Sequence, residues 1–177
     1  MPPNNILPHL PAIHDWIDDL LVRSRPQAKR VSTLPFLRLK RFYSANTLER
    51  AWCVFTEHVP VPPLSQLGLP GFEDFEHTSA EGITFQDLYF VHSDRADDES
   101  LHFHELVHTV QWRELGPEKF MAAYALGYLH GGGYEDNPFE QIAYQLQDRF
   151  VRGKEQFEVE PLVLIHLEKT MRELNPR

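Results

Sequence analysis

At 177 residues the chain is long enough to bury a sizeable core, and one domain is the expectation. Its 42% hydrophobic and 24% charged residues are the mix of an ordinary globular protein. The net charge of -9 argues against nucleic acid or an anionic membrane as a partner, since both require clustered Lys and Arg, and no apolar run approaches the length of a membrane span.

Three parts are expected: an N-terminal helix and basic segment (1–43), a central core (44–152) and a C-terminal helix (153–177). The opening stretch MPPNNILPHLPAIHDW lacks the basic and apolar regions of a secretory signal, so a cytoplasmic location is expected. Ile13, Trp16, Ile17, Leu20 and Leu21 recur at helical spacing and predict a helix over 11–24. The basic run from Arg23 to Arg41 reads as a solvated face or linker, and secondarily as a docking patch, with an extended piece at Leu34–Leu39. A short helix over 44–50 is followed by a strand in AWCVFTEHV (51–59), whose neighbours predict a buried thiol at Cys53. Being the lone cysteine, it forms no intrachain disulfide.

Prolines and glycines make 60–71 a loop. GITFQDLYFV (82–91) alternates with a phase change at Gln86-Asp87, giving two short strands or one bent strand. Asp97, Asp98 and Glu99 then face the positive end of a helix over 98–115, which stops at Gly116. Pro117 opens a helix to about 129, broken by His130-Gly131-Gly132-Gly133. Asn137-Pro138 caps and starts a helix to about Val151, and Val163, Leu164, Leu167, Met171 and Leu174 mark a last one over 160–174.

Within LHFHELVHTVQW (101–112) stands His104-Glu105-Leu106-Val107-His108, the pattern H-E-x-x-H. So histidine-rich a composition yields that string by chance roughly one time in twenty, so its surroundings must decide. On a helix, residues four apart lie one turn apart and differ by about 40° in direction. His104 and His108 can therefore offer two imidazole nitrogens to one metal, with Glu105 on the flank, where a general base for an attacking water belongs.

A catalytic zinc takes three protein ligands, and the motif supplies two. A metzincin places a third histidine six residues after the second; that position here is Glu114, and no glycine stands at 111. Glu140, in the first turn of the helix after Asn137, fits instead if that helix packs antiparallel on the motif helix. Its alternative role is a capping box with Asn137, and Glu135 and Asp136 are competing ligands.

HELVH-x-x-Q together with the downstream N-P-x-E-x-x-A, spread over residues 51–150, resembles the minigluzincin-type metallopeptidases of bacteria. The resemblance implies an α+β, zincin-like fold, helix-rich with a small mixed sheet whose edge strand lies over the motif helix. It implies His104, His108 and Glu140 as Zn2+ ligands and Glu105 as the base. The implied activity is hydrolysis of a peptide or protein substrate, which would pair with the edge strand, for which 83–91 is the candidate.

Tyr134, beside three glycines, is the candidate oxyanion stabiliser, and Gln111, one turn past His108, a candidate partner of that ligand. His102 projects opposite His104 and is set aside as a ligand; His77, His92 and His130 read as loop histidines, and His166 receives no role. Two rival functions remain at this stage: a zinc-bearing docking module with little turnover, and a protease delivered into another cell as a toxin.

Overall fold

The computed structural model describes residues 7–69, 72–77, 80–153 and 155–174. Seven α-helices and four strands are assigned among them: α1 (Leu10–Ser24), β1 (Lys29–Arg30), α2 (Ala45–Arg50), β2 (Trp52–Thr56), α3 (Glu73–Glu76), β3 (Gly82–Phe85), β4 (Leu88–His92), α4 (Glu99–Leu115), α5 (Pro117–Gly131), α6 (Pro138–Arg152) and α7 (Val159–Leu174). The architecture is α+β, helix-rich around a small mixed sheet. Among the described residues no helix is long and apolar enough to cross a membrane.

The sheet order is β1-β2-β4-β3, with β2 parallel to β4 and the outer pairs antiparallel. Leu88–Val91 are buried on both faces, as expected of an interior strand. The stretch 82–91 is thus a hairpin, and only its first half, β3, is an edge; the 83–91 candidate narrows accordingly. Gln86 turns it with φ 55°, and Arg25 grips the neighbouring Asp87 carboxylate at 2.6 and 3.1 Å.

α4 starts where Asp98 accepts hydrogen bonds from the Ser100 and Leu101 amides. It runs through the interior, with every residue from His102 to Trp112 buried, so its apolar residues surround it rather than forming one stripe. α6 packs against it antiparallel: Phe103 stacks on Phe150, while at the other end Gln111 reaches the Phe139 carbonyl. α5 continues through Gly131 rather than breaking at His130, and Gly132, with φ 86°, closes it in the left-handed conformation.

The basic segment presents a solvated face, with Arg23, Lys29, Arg30, Arg38, Lys40 and Arg41 exposed, but it is no linker. Val31, Leu34 and Leu39 are buried, the extended piece is β1 at 29–30 rather than 34–39, and single 3-10 turns carry the rest. Arg30 lies over the Trp52 ring, and Lys29 over Phe55. Arg38 covers the Phe150 ring, its guanidinium 4.0 Å from the centroid, and donates to the Phe150 carbonyl at 2.7 Å. These cations close the fold by covering aromatic faces.

Candidate metal centre

The two motif histidines project from adjacent turns of α4 towards Glu140 on α6. The Nε2 atoms of His104 and His108 are 3.0 Å apart, and Glu140 Oε2 lies 3.3 Å from each. All three side chains are buried, and together they form a group that could hold a metal ion. Glu135 and Asp136, the competing candidates, are exposed.

The surrounding hydrogen bonds decide what those three atoms offer. His108 Nδ1 faces Gln111 Oε1 at 2.8 Å, and the amide nitrogen of Gln111 is committed to the Phe139 carbonyl. His104 Nδ1 faces Gln147 Oε1 at 3.1 Å, with the Gln147 amide nitrogen turned to Ser100 Oγ. Both acceptors require Nδ1 to carry the proton, which leaves both Nε2 atoms bare. Glu140 Oε1 accepts from the Tyr124 hydroxyl at 2.7 Å, whereas buried Oε2 has no hydrogen-bond partner. With both rings neutral, three lone pairs thus converge, an arrangement that costs free energy unless a metal ion or a proton is supplied.

The spacing fits zinc. Bonds of about 2.0–2.1 Å at tetrahedral angles separate neighbouring donors by about 3.3 Å. Two imidazole nitrogens and one carboxylate oxygen are also a donor set that zinc accepts. The amides of Gln111 and Gln147 are the outer partners that fix ring orientation and tautomer.

Electrostatics point the same way. Burial pushes the His108 imidazole down, but the Glu140 carboxylate, with Glu105 and Gln111, outweighs it and raises His108 to about 9. Burial pushes Glu140 up, yet the two histidines hold its carboxyl well below the usual carboxylate range. The pocket demands positive charge and takes a proton where no metal is supplied.

Glu105 lies on the flank under the edge strand. Its Oε2 accepts from Thr84 Oγ1 at 2.6 Å, and Thr84 is itself fixed by the Trp112 indole, which donates to its carbonyl at 3.1 Å. A Cβ on Gly82 would sit 2.5 Å from Glu105 Oε1, so β3 comes this close only because residue 82 lacks a side chain. Burial raises the Glu105 carboxyl above its ordinary value, and the histidines and Thr84 partly offset this. The result is a stronger base than a solvated carboxylate.

α6 is aimed by its cap. Asn137 Oδ1 accepts from the Phe139 amide, while its Nδ2 donates to the Tyr124 carbonyl on α5. The alternative capping box does not form: Glu140 turns inward to the histidines rather than back to Asn137. Gly127 permits the approach of α5, since a Cβ there would lie 2.7 Å from Asn137 Oδ1 and 3.0 Å from the Pro138 ring.

Tyr134 lines the same cavity as the histidines and Glu140. Burial, and then the charge of Glu140, push its phenol far up, so it keeps its proton and remains a donor. Tyr144, half-exposed, sets its ring 4.7 Å from that of His104. His102 is structural, taking the Tyr89 hydroxyl at 2.8 Å and the Ala96 carbonyl at 2.9 Å. His166 meets the Pro138 carbonyl, and His77 and His130 are exposed.

Four contributors escaped sequence reasoning: Thr84, Tyr124, Tyr144 and Gln147. Tyr144 and Gln147 carried a signal, since positions 140, 144 and 147 share one face of a helix. Thr84 and Tyr124 come from other elements and carried none. No protein-family model, curated protein or solved structure matches the chain.

Proposed function

We propose that the protein is a zinc-dependent metallopeptidase with a zincin-like core of the minigluzincin type. The observation that carries this reading is the convergence of two bare Nε2 atoms and an unpartnered Glu140 Oε2, with a Thr84-held Glu105 on the flank. His104, His108 and Glu140 would hold the ion, leaving room for a water. Bound there, zinc supplies a Lewis acid that acidifies water and polarises a carbonyl.

The remaining work belongs to the chain. Glu105 takes one proton from water as its oxygen bonds to the peptide carbonyl carbon, then passes that proton to the amine nitrogen as the C–N bond breaks. Thr84 keeps the carboxylate aimed through this transfer. The Tyr134 phenol donates to the oxygen that gains charge in the tetrahedral intermediate. An extended peptide adds to the free side of β3. The His92 amide donates to the Glu81 carbonyl, and the antiparallel alternation then turns the backbone groups of Gly82 and the Thr84 amide away from β4, the Thr84 carbonyl being held by the Trp112 indole.

The test pairs metal content with turnover. Purified or zinc-reconstituted protein should carry about one zinc ion per chain. Glu105→Gln should keep that zinc and lose at least about 100-fold in hydrolysis of unfolded casein or mixed peptides. A chain that binds no zinc, or a Glu105→Gln variant with full turnover, overturns the reading.

A further inference from the structure

The metal-binding group forms part of the wall of a cavity of about 470 Å³ whose lining combines exposed polar residues with buried apolar ones. The exposed polar lining includes Glu81 and Arg95, with half-exposed Tyr144. Arg95 is tied to Glu81 at 3.5 Å and to Asp98 at 2.5 Å, which fixes this rim. Apart from the metal-binding group, Glu105 and Thr84, the buried lining is apolar and forms an inner chamber: Ile13 and Ile17 from α1, Leu64 and Phe72 from the segment before β3, and Phe120 and Met121 from α5. Three walls therefore come from outside the helices that hold the metal ligands.

From this contrast we infer that the inner chamber is a binding site for one large apolar side chain, aromatic or branched aliphatic, of the peptide whose bond lies at the metal centre. The choice of ligand rests on the peptidase reading; the chamber itself does not. The cavity as a whole, the part beside the metal-binding group included, has the volume of a small-ligand pocket. Its walls offer aliphatic, aromatic and thioether surface, so an apolar group gains by leaving water. A lysine or aspartate side chain would lose its hydration in the inner chamber without a partner. Ile13 and Ile17 thus act as specificity-determining residues, which gives the N-terminal helix a part in substrate choice.

Binding can be read without turnover. N-acetyl amides of Phe, Leu, Ala and Lys are titrated into the full chain, metal-free and zinc-loaded, and followed by amide and indole NMR signals. Trp112 is a built-in reporter, because its indole lines the cavity and donates to Thr84. The Phe and Leu amides should shift the Trp112 indole and the signals of residues 13, 17 and 121, at least tenfold more tightly than the Ala and Lys amides. Ile13→Trp should fill the chamber and weaken the Phe amide at least tenfold. Where that variant does not fold, Ile13→Ala enlarges the chamber and should move the preference towards N-acetyl-Trp-amide. An Ala amide that binds as tightly as the Phe amide, or shifts confined to other residues, overturns the chamber. Zinc binding and hydrolysis with no apolar preference would sink this inference alone, whereas apolar selectivity without zinc would sink the peptidase reading and leave the chamber standing.

Discussion

Removing the metal should make the centre a proton trap with a legible pH signature. In metal-free protein His108 is raised from an ordinary 6.5 to about 9: burial opposes its charge, but Glu140, Glu105 and Gln111 outweigh burial. A histidine raised on folding contributes stability that is fully present below its unfolded value and is lost as pH rises through the folded one. The window here is therefore about pH 6.5 to 9, and the gap between those values corresponds to about 3 kcal/mol for this fully buried group. Glu140 adds no slope in this window, since its carboxyl is held low and stays ionised throughout. Urea unfolding of chelator-treated protein between about pH 6 and 10 should show the loss, and His108→Ala should flatten it. Zinc must displace that proton, so calorimetry near pH 7.5 in buffers of differing ionisation heat should record release of about one proton per zinc bound. A metal-free protein whose stability does not change across the window, with no proton release on zinc binding, would refute the convergence of bare donors.

Two further outcomes follow from the supports around the centre. Gln111→Leu removes the acceptor that holds the His108 Nδ1 proton and leaves the Phe139 carbonyl without its donor, so competition with a chelator should show zinc affinity falling about 10- to 100-fold. Gly127→Ala would gain about 1 kcal/mol on an open helix surface; against Asn137 and the rigid Pro138 ring the overpacking cost of about 1–3 kcal/mol should reverse that sign. Its melting temperature should fall, and zinc affinity with it.

The sequence reading succeeded where local chemistry and periodicity coincide. α4 and α6 each carry a capping side chain at the expected start and a terminator at the end, so their extents were readable. Because H-E-x-x-H sets its own geometry on a helix, only the third member of the buried group required tertiary information, and Glu140 is brought to the histidines by antiparallel packing. The linker reading of the basic segment failed for a physical reason. Val31, Leu34 and Leu39 are buried from 3-10 turns and irregular chain, so they repeat with neither a helical nor a strand period. Its charges do face solvent, as expected of a solvated face, while Lys29, Arg30 and Arg38 also lie over aromatic rings. Thr84 and Tyr124 were invisible because their importance is created by long-range contacts, to Glu105 and Glu140 respectively. α3, four residues long, lies below the length at which periodicity speaks.

Arg38 gives that segment an architectural meaning. Its guanidinium seals the far end of α6, capping the Phe150 carbonyl and roofing the ring that stacks on Phe103, the residue immediately before His104. Excising residues 1–43 would peel away this lid, along with the helix lining the inner chamber, and admit solvent to the aromatic girder on which the ligand helices rest. The portable unit of this centre is accordingly larger than its signature, and grafting the motif stretch alone into another scaffold would transplant the donors without the frame that keeps them dry and aligned.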